Sequence, residues 1–382
     1  MNKISARLLI VLVLSLCIVS CNTKENNEKN VNVTEITPFF HSYDTVASVV
    51  DFFTDFQFIP LENNKECMLS SVSKIRIDGD RMFIYDRGPE NKVLEFGLDG
   101  SFIRRISNMG GSKSEYLAID DVAINPYEKT VLILYYNKIK IFDYDGKFIK
   151  EVALDECKHA NYQIEAIRDG YVMSTRYEGS EYLLQLFDKD FHVKEHLVYI
   201  GEKRLGYDPP VVGNMSLNYD GRNVYFYDPY DSKFYIFNPD STENMQCYSI
   251  KDDNIVTFDK VAAAEKQDKS LECNDVLNCF SANNKMFGCY IYNNAFDPFV
   301  FDYDKKTCDV YILYDWLPTL KEYHDGYYYA ILSAEDVIKM PIGLEMQDDQ
   351  RTYHVFEDAV SKFKEPLSPK SNYVLVRMKL KE

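Results

Sequence analysis

Six histidines, His41, His159, His192, His196, His324 and His354, are all the imidazoles this chain has for proton transfer or metal binding. His192 and His196 have the H-x-x-x-H spacing that puts two zinc ligands on one face of a helix. Their surroundings read as a strand, where four residues cover roughly 13 Å, so the pair reads as a solvated strand. Asp120-Asp121 is an adjacent anion pair with oxygen ligands for calcium, although a turn at a strand start also explains it. Ser174 has no G-x-S-x-G context, so a hydrolase elbow is absent. No P-loop or dinucleotide fingerprint occurs, and apart from calcium at Asp120-Asp121 no cofactor is implied.

Aromatic rings are the other chemical resource. The chain has 30 Tyr and 24 Phe but one Trp, Trp316, in the loop Tyr314-Asp315-Trp316-Leu317-Pro318. Exposed rings stack on sugars and peptides, which makes Trp316 a candidate contact residue. Most Tyr residues alternate within apolar runs and read as packing. The formal charge is −17, so binding to nucleic acid through its phosphates is excluded. With 46% hydrophobic and 27% charged residues, global disorder, collagen and coiled coil are excluded too.

The elements that must position these residues are short strands in a repeated unit. Met82–Asp86, Val93–Phe96, Asp99-Gly100 and Phe102–Ile106 form one copy. Val131–Tyr135, Ile139–Asp143, Asp145-Gly146 and Phe148–Val152 form the next. Further copies follow at 171–193, 224–238 and 286–312. An anchoring Phe recurs at 96, 142, 187, 237 and 301, with gaps of 46, 45, 50 and 64 residues. Period-two alternation marks the strands, and Asp-Gly supplies the positive φ of a tight hairpin. Four strands per 40–50 residues is a β-propeller blade pattern. Five anchors plus strand-like Phe56–Leu61 and Tyr373–Met378 at the two ends predict an all-β, six-bladed propeller over 51–382. The terminal strands are expected to share a blade, which protects its open edges.

Helical segments interrupt this pattern. Lys260–Lys266 reads as a helical insertion. Ser333 with Asp336 starts a helix that Pro341 is expected to stop. Thr352–Phe363 carries the apolar stripe Val355, Phe356, Ala359, Val360 and Phe363, which predicts an amphipathic helix packed on the propeller.

Residues 1–20 read as a signal peptide. Lys3 and Arg7 form a basic start, and the apolar run Leu8–Val19 is too short to span a bilayer. Its end, Ile18-Val19-Ser20-Cys21, resembles the bacterial lipobox, in which the Cys is lipidated and becomes the new N-terminus. That implies acylation at Cys21, palmitate among the chains, and lasting membrane attachment. Removing Lys3 and Arg7 takes the charge to about −19. Residues 21–50 are expected to form a flexible, lipidated tether. Its Lys24-Glu25 resembles part of a surface-export signal of Gram-negative gut bacteria.

Nine cysteines then reduce to seven, since Cys17 leaves with the signal and Cys21 is lipidated. Seven is odd, and no C-x-x-C pair suggests zinc or redox chemistry. Cys67, Cys247, Cys289 and Cys308 lie in or beside apolar runs and read as buried thiols. Cys273 and Cys279 flank a polar loop and are the disulfide candidates, with Cys157 left over.

Taken together, Phe58–Glu62, Ile75–Asp78 with Met82–Asp86, and Asn372–Val376 resemble the opening, first-blade and closing strands of a family. It is the six-bladed β-propeller lipoprotein family of Gram-negative gut bacteria, related to NHL-repeat and TolB-like propellers. The resemblance spans about residues 50–380 and implies a fold more than an activity. The family often carries Gly-Pro-Gly-Glu-Tyr between its first two blades. Here Gly110–Tyr116 keeps Glu115 and Tyr116, which become ligand-contact candidates, but replaces Gly-Pro-Gly with Ser-Lys-Ser. Asp44-Thr45-Val46 and Asp240-Ser241-Thr242 resemble an O-glycosylation pattern of these bacteria, with acceptors at Thr45 and Ser241. Some related propellers are lactonases or lyases with a metal in the central channel.

The expectation is therefore a non-catalytic binding or scaffold propeller, lipid-anchored in the cell envelope at the outer membrane. Its partners would be the membrane and a neutral or cationic glycan, peptide or protein. The competing reading is a metal-dependent hydrolase or lyase. Three or more acidic, Asn or His side chains converging in the channel would favour the enzyme. An apolar or Tyr-lined channel would favour the binder.

Overall fold

The structure is a computed structural model that describes residues 31–42, 46–154, 161–175, 180–201, 215–267, 273–292, 295–312, 318–346 and 349–381. Cys21, Lys24-Glu25, Thr45, Cys157, His159 and Trp316 lie outside the described residues.

The described residues begin with β1 (Val33–Ile36), β2 (Pro38–Phe40), a helical turn α1 (Val49–Phe52) and β3 (Phe53–Pro60). The first blade is β4 (Val72–Asp78), β5 (Arg81–Asp86), β6 (Lys92–Gly97) and β7 (Phe102–Arg105). The second is β8 (Asp121–Asn125), β9 (Thr130–Tyr135), β10 (Lys138–Asp143) and β11 (Phe148–Ala153). The third is β12 (Asn161–Ile167), β13 (Gly170–Thr175), β14 (Tyr182–Phe187) and β15 (Val193–Tyr199). The fourth is β16 (Ser216–Tyr219), β17 (Val224–Asp228), β18 (Lys233–Phe237) and β19 (Gln246–Ile250), and α2 (Phe258–Lys266) follows it. The fifth is β20 (Asp275–Ala282), β21 (Lys285–Tyr292), β22 (Ala295–Asp302) and β23 (Thr307–Val310). The sixth joins β24 (Leu320–His324), β25 (Tyr327–Leu332) and, after α3 (Ala334–Met346) and α4 (Gln350–Ser361), β26 (Val374–Leu380) to β3.

These sheets form a six-bladed β-propeller. Within each blade successive strands run antiparallel and outward, and the innermost strands β4, β8, β12, β16, β20 and β24 ring a central channel. Middle strands are buried on both faces between neighbouring blades, which is why they read as unbroken apolar runs; β9 is buried at every position. Outer strands such as β11 are mostly exposed. The anchoring rings Phe96, Phe142, Phe187, Phe237 and Phe301 lie in the third strand of their blades and are all at most 2% exposed. Each neighbouring pair of blades encloses one apolar cluster, so six clusters close the ring. Gly100 turns the β6–β7 hairpin at φ +87, and a Cβ there would sit 2.4 Å from the carbonyl of Pro60.

The two chain ends share the sixth blade as expected. β3 pairs antiparallel with β26, from Val374 opposite Pro60 to Leu380 opposite Phe53. Part of the 21–50 segment expected to be a flexible tether is folded. β1 pairs in parallel with the outer edge of β19, and β2 with that of β23. Two exposed strand edges are thereby covered, a gain invisible in a short segment read alone.

The helices also differ in detail. Asp336 N–H donates to Ser333 Oγ at 3.1 Å, the expected start of α3. Pro341 does not stop it, and the helix runs on to Met346. A proline inside a helix removes a hydrogen bond and costs about 3 kcal/mol. Val337 and Leu344 on either side of it are buried in the cluster of the fifth and sixth blades, which offsets that cost. α4 covers 350–361, with Asp349 capping Thr352 N–H. Its buried Phe356 meets Phe58 of β3 edge-on at 4.7 Å.

Candidate functional site

The N-terminal ends of the six innermost strands open onto a cavity of about 240 Å³ on the propeller axis. Lys74 (β4), Asp121 (β8), Gln163 (β12), Asn218 (β16), Cys279 (β20) and Lys321 (β24) contribute to its wall, together with Arg87 just after β5. Each inner strand alternates between the blade interface and the channel. In β4, Ile75 and Ile77 pack between blades, and Lys74 and Arg76 take the channel side.

Four of these strands break their register at the cavity. The pairing shifts between Val72 and Lys74, Asn161 and Gln163, Leu277 and Phe280, and Leu320 and Glu322. The residues inserted there are Ser73, Tyr162, Asn278, Cys279 and Lys321, and all five line the cavity. A bulge re-aims a side chain that a regular strand would send elsewhere. Lys321 and Glu322 illustrate this, since adjacent strand residues would otherwise face opposite ways.

Beside the cavity lies a buried ionic network. Lys74 Nζ donates to Asp121 Oδ2 at 2.6 Å, to the Ile164 carbonyl at 3.0 Å, and pairs with Glu165 Oε1 at 3.0 Å. The backbone N–H of Ile164 donates to the same Asp121 oxygen at 2.9 Å. Arg76 grips Glu165 through Nε at 3.2 Å and through Nη2, and reaches Glu322 Oε2 through Nη1 at 3.3 Å. Burial raises the Asp121 carboxyl above its usual range against the pull of Lys74. Burial pushes Glu322 up to about 7 against the pull of Arg76. Arg76 itself is held charged by Glu165 first and Glu322 second, despite its burial. The fork of Arg76 is committed to Glu165, whereas Glu322 has one longer contact with Arg76 and the Tyr323 N–H at 2.8 Å, too little to offset its burial, so Glu322 is the member that protonates. Burial lowers Lys321, whose Nζ has only the Ser73 carbonyl at 3.5 Å among the described residues.

The network answers the question posed by the sequence in an unexpected way. Three carboxylates do converge on the channel, from β8, β12 and β24. They are ion-paired with Lys74 and Arg76, and the wall is neither apolar nor Tyr-lined. Among the described residues no group of three or more His, Cys, Asp or Glu is arranged to hold a metal.

The residues singled out from sequence are scattered. Asp120 and Asp121 point to different partners: the Asp120 carboxylate accepts the Tyr136 N–H at 2.6 Å, and Asp121 serves the network. Their geometry does not offer calcium a shared site. Glu115 accepts the Ser112 N–H at 2.9 Å within its own loop. Tyr116 is 0% exposed, which removes it as a contact residue. Its hydroxyl donates to the carbonyls of Asn91 and Ser107, so the ring serves the packing of the first and second blades. Ser241 precedes a 3-10 turn at Thr242–Asn244, and its hydroxyl donates to Glu243 at 2.7 Å. Cys273 and Cys279 are free thiols, not a disulfide, as are Cys67, Cys247, Cys289 and Cys308. The bulge in β20 turns Cys279 to the cavity wall instead. His192 is exposed beside Asp188, and His196 sits in β15 next to Gln185, so the two have separate partners.

Lys74, Arg76, Glu165, Lys321 and Glu322 were missed. Their signal is a charged residue set inside an otherwise apolar strand, as in Lys74-Ile75-Arg76-Ile77 and Ile164-Glu165-Ala166. Such residues must find partners when buried.

A presumed exported protein of Bacteroides fragilis superposes with a TM-score of 0.68 at 18% identity, covering 91% of this chain and all of that one. That likeness supports the propeller fold. The WD40 domain of Pan2 from Neurospora crassa gives a TM-score of 0.38 at 10% identity, over 68% of this chain and 71% of that chain. No curated protein matches. Residues 35–379 match one family model, and the chain therefore belongs to the family described as domain of unknown function DUF4934.

Proposed function

We propose that this chain is a lipid-anchored, non-catalytic binding propeller of the bacterial envelope, whose ligand enters the cavity at the channel mouth. The observation that carries this reading is the pairing of the channel carboxylates. Asp121 and Glu165 are neutralised by Lys74 and Arg76, which supports binding over a carboxylate-driven or metal-assisted hydrolysis. The register breaks, whose five residues all line the cavity, support a site built for contact. Glycans and peptides remain the ligand classes that suit an envelope protein.

Anchoring is supported by Ile18-Val19-Ser20-Cys21 and by the presumed export of the Bacteroides fragilis relative. No helix among the described residues is long and apolar enough to cross a membrane. An NHL- or TolB-like ancestry and an outer-membrane location belong to the same reading.

Two measurements test it. Cys21→Ala should leave the membrane fraction or persist as an uncleaved precursor; a mature, membrane-bound variant would sink the anchor. Purified protein incubated with a panel of oligosaccharides and peptides should bind without altering them. Chemical conversion of any member, followed by NMR, would overturn the non-catalytic reading in favour of a hydrolase or lyase.

A further inference from the structure

We propose that the cavity at the channel mouth is a site for a small monocarboxylate, of the acidic-monosaccharide class, held by Lys321 and Arg87. The proposal rests on the binding reading above and names the ligand chemistry it left open. In a chain of formal charge −17, this wall gathers Lys74, Arg76, Arg87 and Lys321 against Asp121 as the one carboxylate among the described residues. Adding Glu165 and Glu322 from the adjoining network leaves four cations facing three carboxylates. Among the described residues one positive charge is in surplus even with all three ionised.

The surplus sits on particular side chains. Lys74 and Arg76 spend their donors on Asp121, Glu165, Glu322 and backbone carbonyls. Lys321 does not. It is the bulge residue of β24, half-buried, and no carboxylate among the described residues pairs with it. Arg87 faces the phenols of Tyr85 and Tyr162 and likewise lacks a described carboxylate. A desolvated ammonium without a counter-charge is costly, and a carboxylate bound beside it removes that cost. Gln163, Ser73 and Asn278 add polar groups of the kind that meet hydroxyls.

Size and charge narrow the class. A volume of about 240 Å³ lies below the roughly 300–1,000 Å³ of drug-sized sites, so the occupant is one small ring or less. A single surplus charge balances a monoanion. Phosphate, with up to two negative charges, meets the repulsion of the whole acidic chain. The neutral or cationic ligand expected from net charge alone is thus displaced by the local field of the channel.

The test is calorimetric titration of the intact protein with D-glucuronate and with D-glucose, for the wild type, Lys321→Gln and Arg87→Gln. Glucuronate should bind at least tenfold more tightly than glucose, and its affinity should fall as NaCl is raised. Lys321→Gln should lose at least tenfold in glucuronate affinity with melting unchanged, and Arg87→Gln several-fold. Equal affinity for the two sugars, or no loss in Lys321→Gln, overturns the anion site and leaves the binding reading standing. Failure of glucuronate to bind at millimolar concentration overturns it as well. Conversion of either sugar overturns the non-catalytic reading instead.

Discussion

Replacing Glu322 with Gln tests the electrostatic account of the channel most directly. The substitution keeps the shape and a hydrogen-bonding amide but removes the titration. Glu322 is 8% exposed, and burial moves its carboxyl from 4.5 to about 7. A carboxyl raised on folding binds more protons in the native state than in the unfolded one. Its contribution is fully present below pH 4.5 and is lost as pH rises through 7. Moving from 4.5 to about 7, at about 1.4 kcal/mol for each pH unit, sets a ceiling of about 3.5 kcal/mol. Asp121 and Asp275 are raised too, the latter to about 6, but they titrate in both proteins and cancel in the difference. Urea unfolding at constant salt, at pH 5, 6, 7 and 8, supplies the stabilities. The wild type should lose ground to Glu322→Gln as pH rises, by up to about 3.5 kcal/mol at pH 8. A flat difference, or a wild type that gains on the variant with rising pH, would refute the assignment of Glu322 as the member that protonates. Arg76 would then be shared evenly between Glu165 and Glu322.

Two further expectations concern structure. Deleting residues from Asn372 onward removes β26, which lies between β25 and β3 and carries buried Val374, Val376 and Met378. Cooperative thermal unfolding should vanish, and an unchanged melting curve would show that the shared blade does not hold the ring closed. Tyr116→Phe keeps the buried ring and removes a hydroxyl that serves the carbonyls of Asn91 and Ser107. It should lower stability by about 1 kcal/mol and leave ligand affinity unchanged; a loss of affinity without destabilisation would return Tyr116 to the site.

Much of the architecture was legible because a blade is a local object. Alternation within Met82–Asp86 or Val131–Tyr135 marks a strand, and Asp-Gly marks the hairpin that follows it. The repeat of Phe96, Phe142, Phe187, Phe237 and Phe301 counts five blades, and the strand-like ends supply the sixth. Pairing of the ends was predictable because an open ring exposes two edges. Pro341 was misread because local propensity favours a stop, whereas burial of Val337 and Leu344 against the propeller outweighs it. The strands β1 and β2 were missed because four or three residues carry little periodicity, and their hydrogen bonds go to partners more than two hundred positions away.

The candidate site was scarcely legible at all. Lys74, Asp121, Glu165, Lys321 and Glu322 are spread over nearly 250 positions and come together because their strands ring one axis. Which face of a strand a residue occupies follows from alternation, but a bulge resets that alternation. A bulge is defined by the partner strand, so Lys321 turns to the channel for a reason its own segment does not contain. By itself the sequence determined the number of blades, the Asp-Gly hairpins and the acidic total, since each depends on neighbours in the chain or on a sum over it. Only the tertiary structure decided where charge concentrates and which carboxylates are paired, since both depend on distances across the channel.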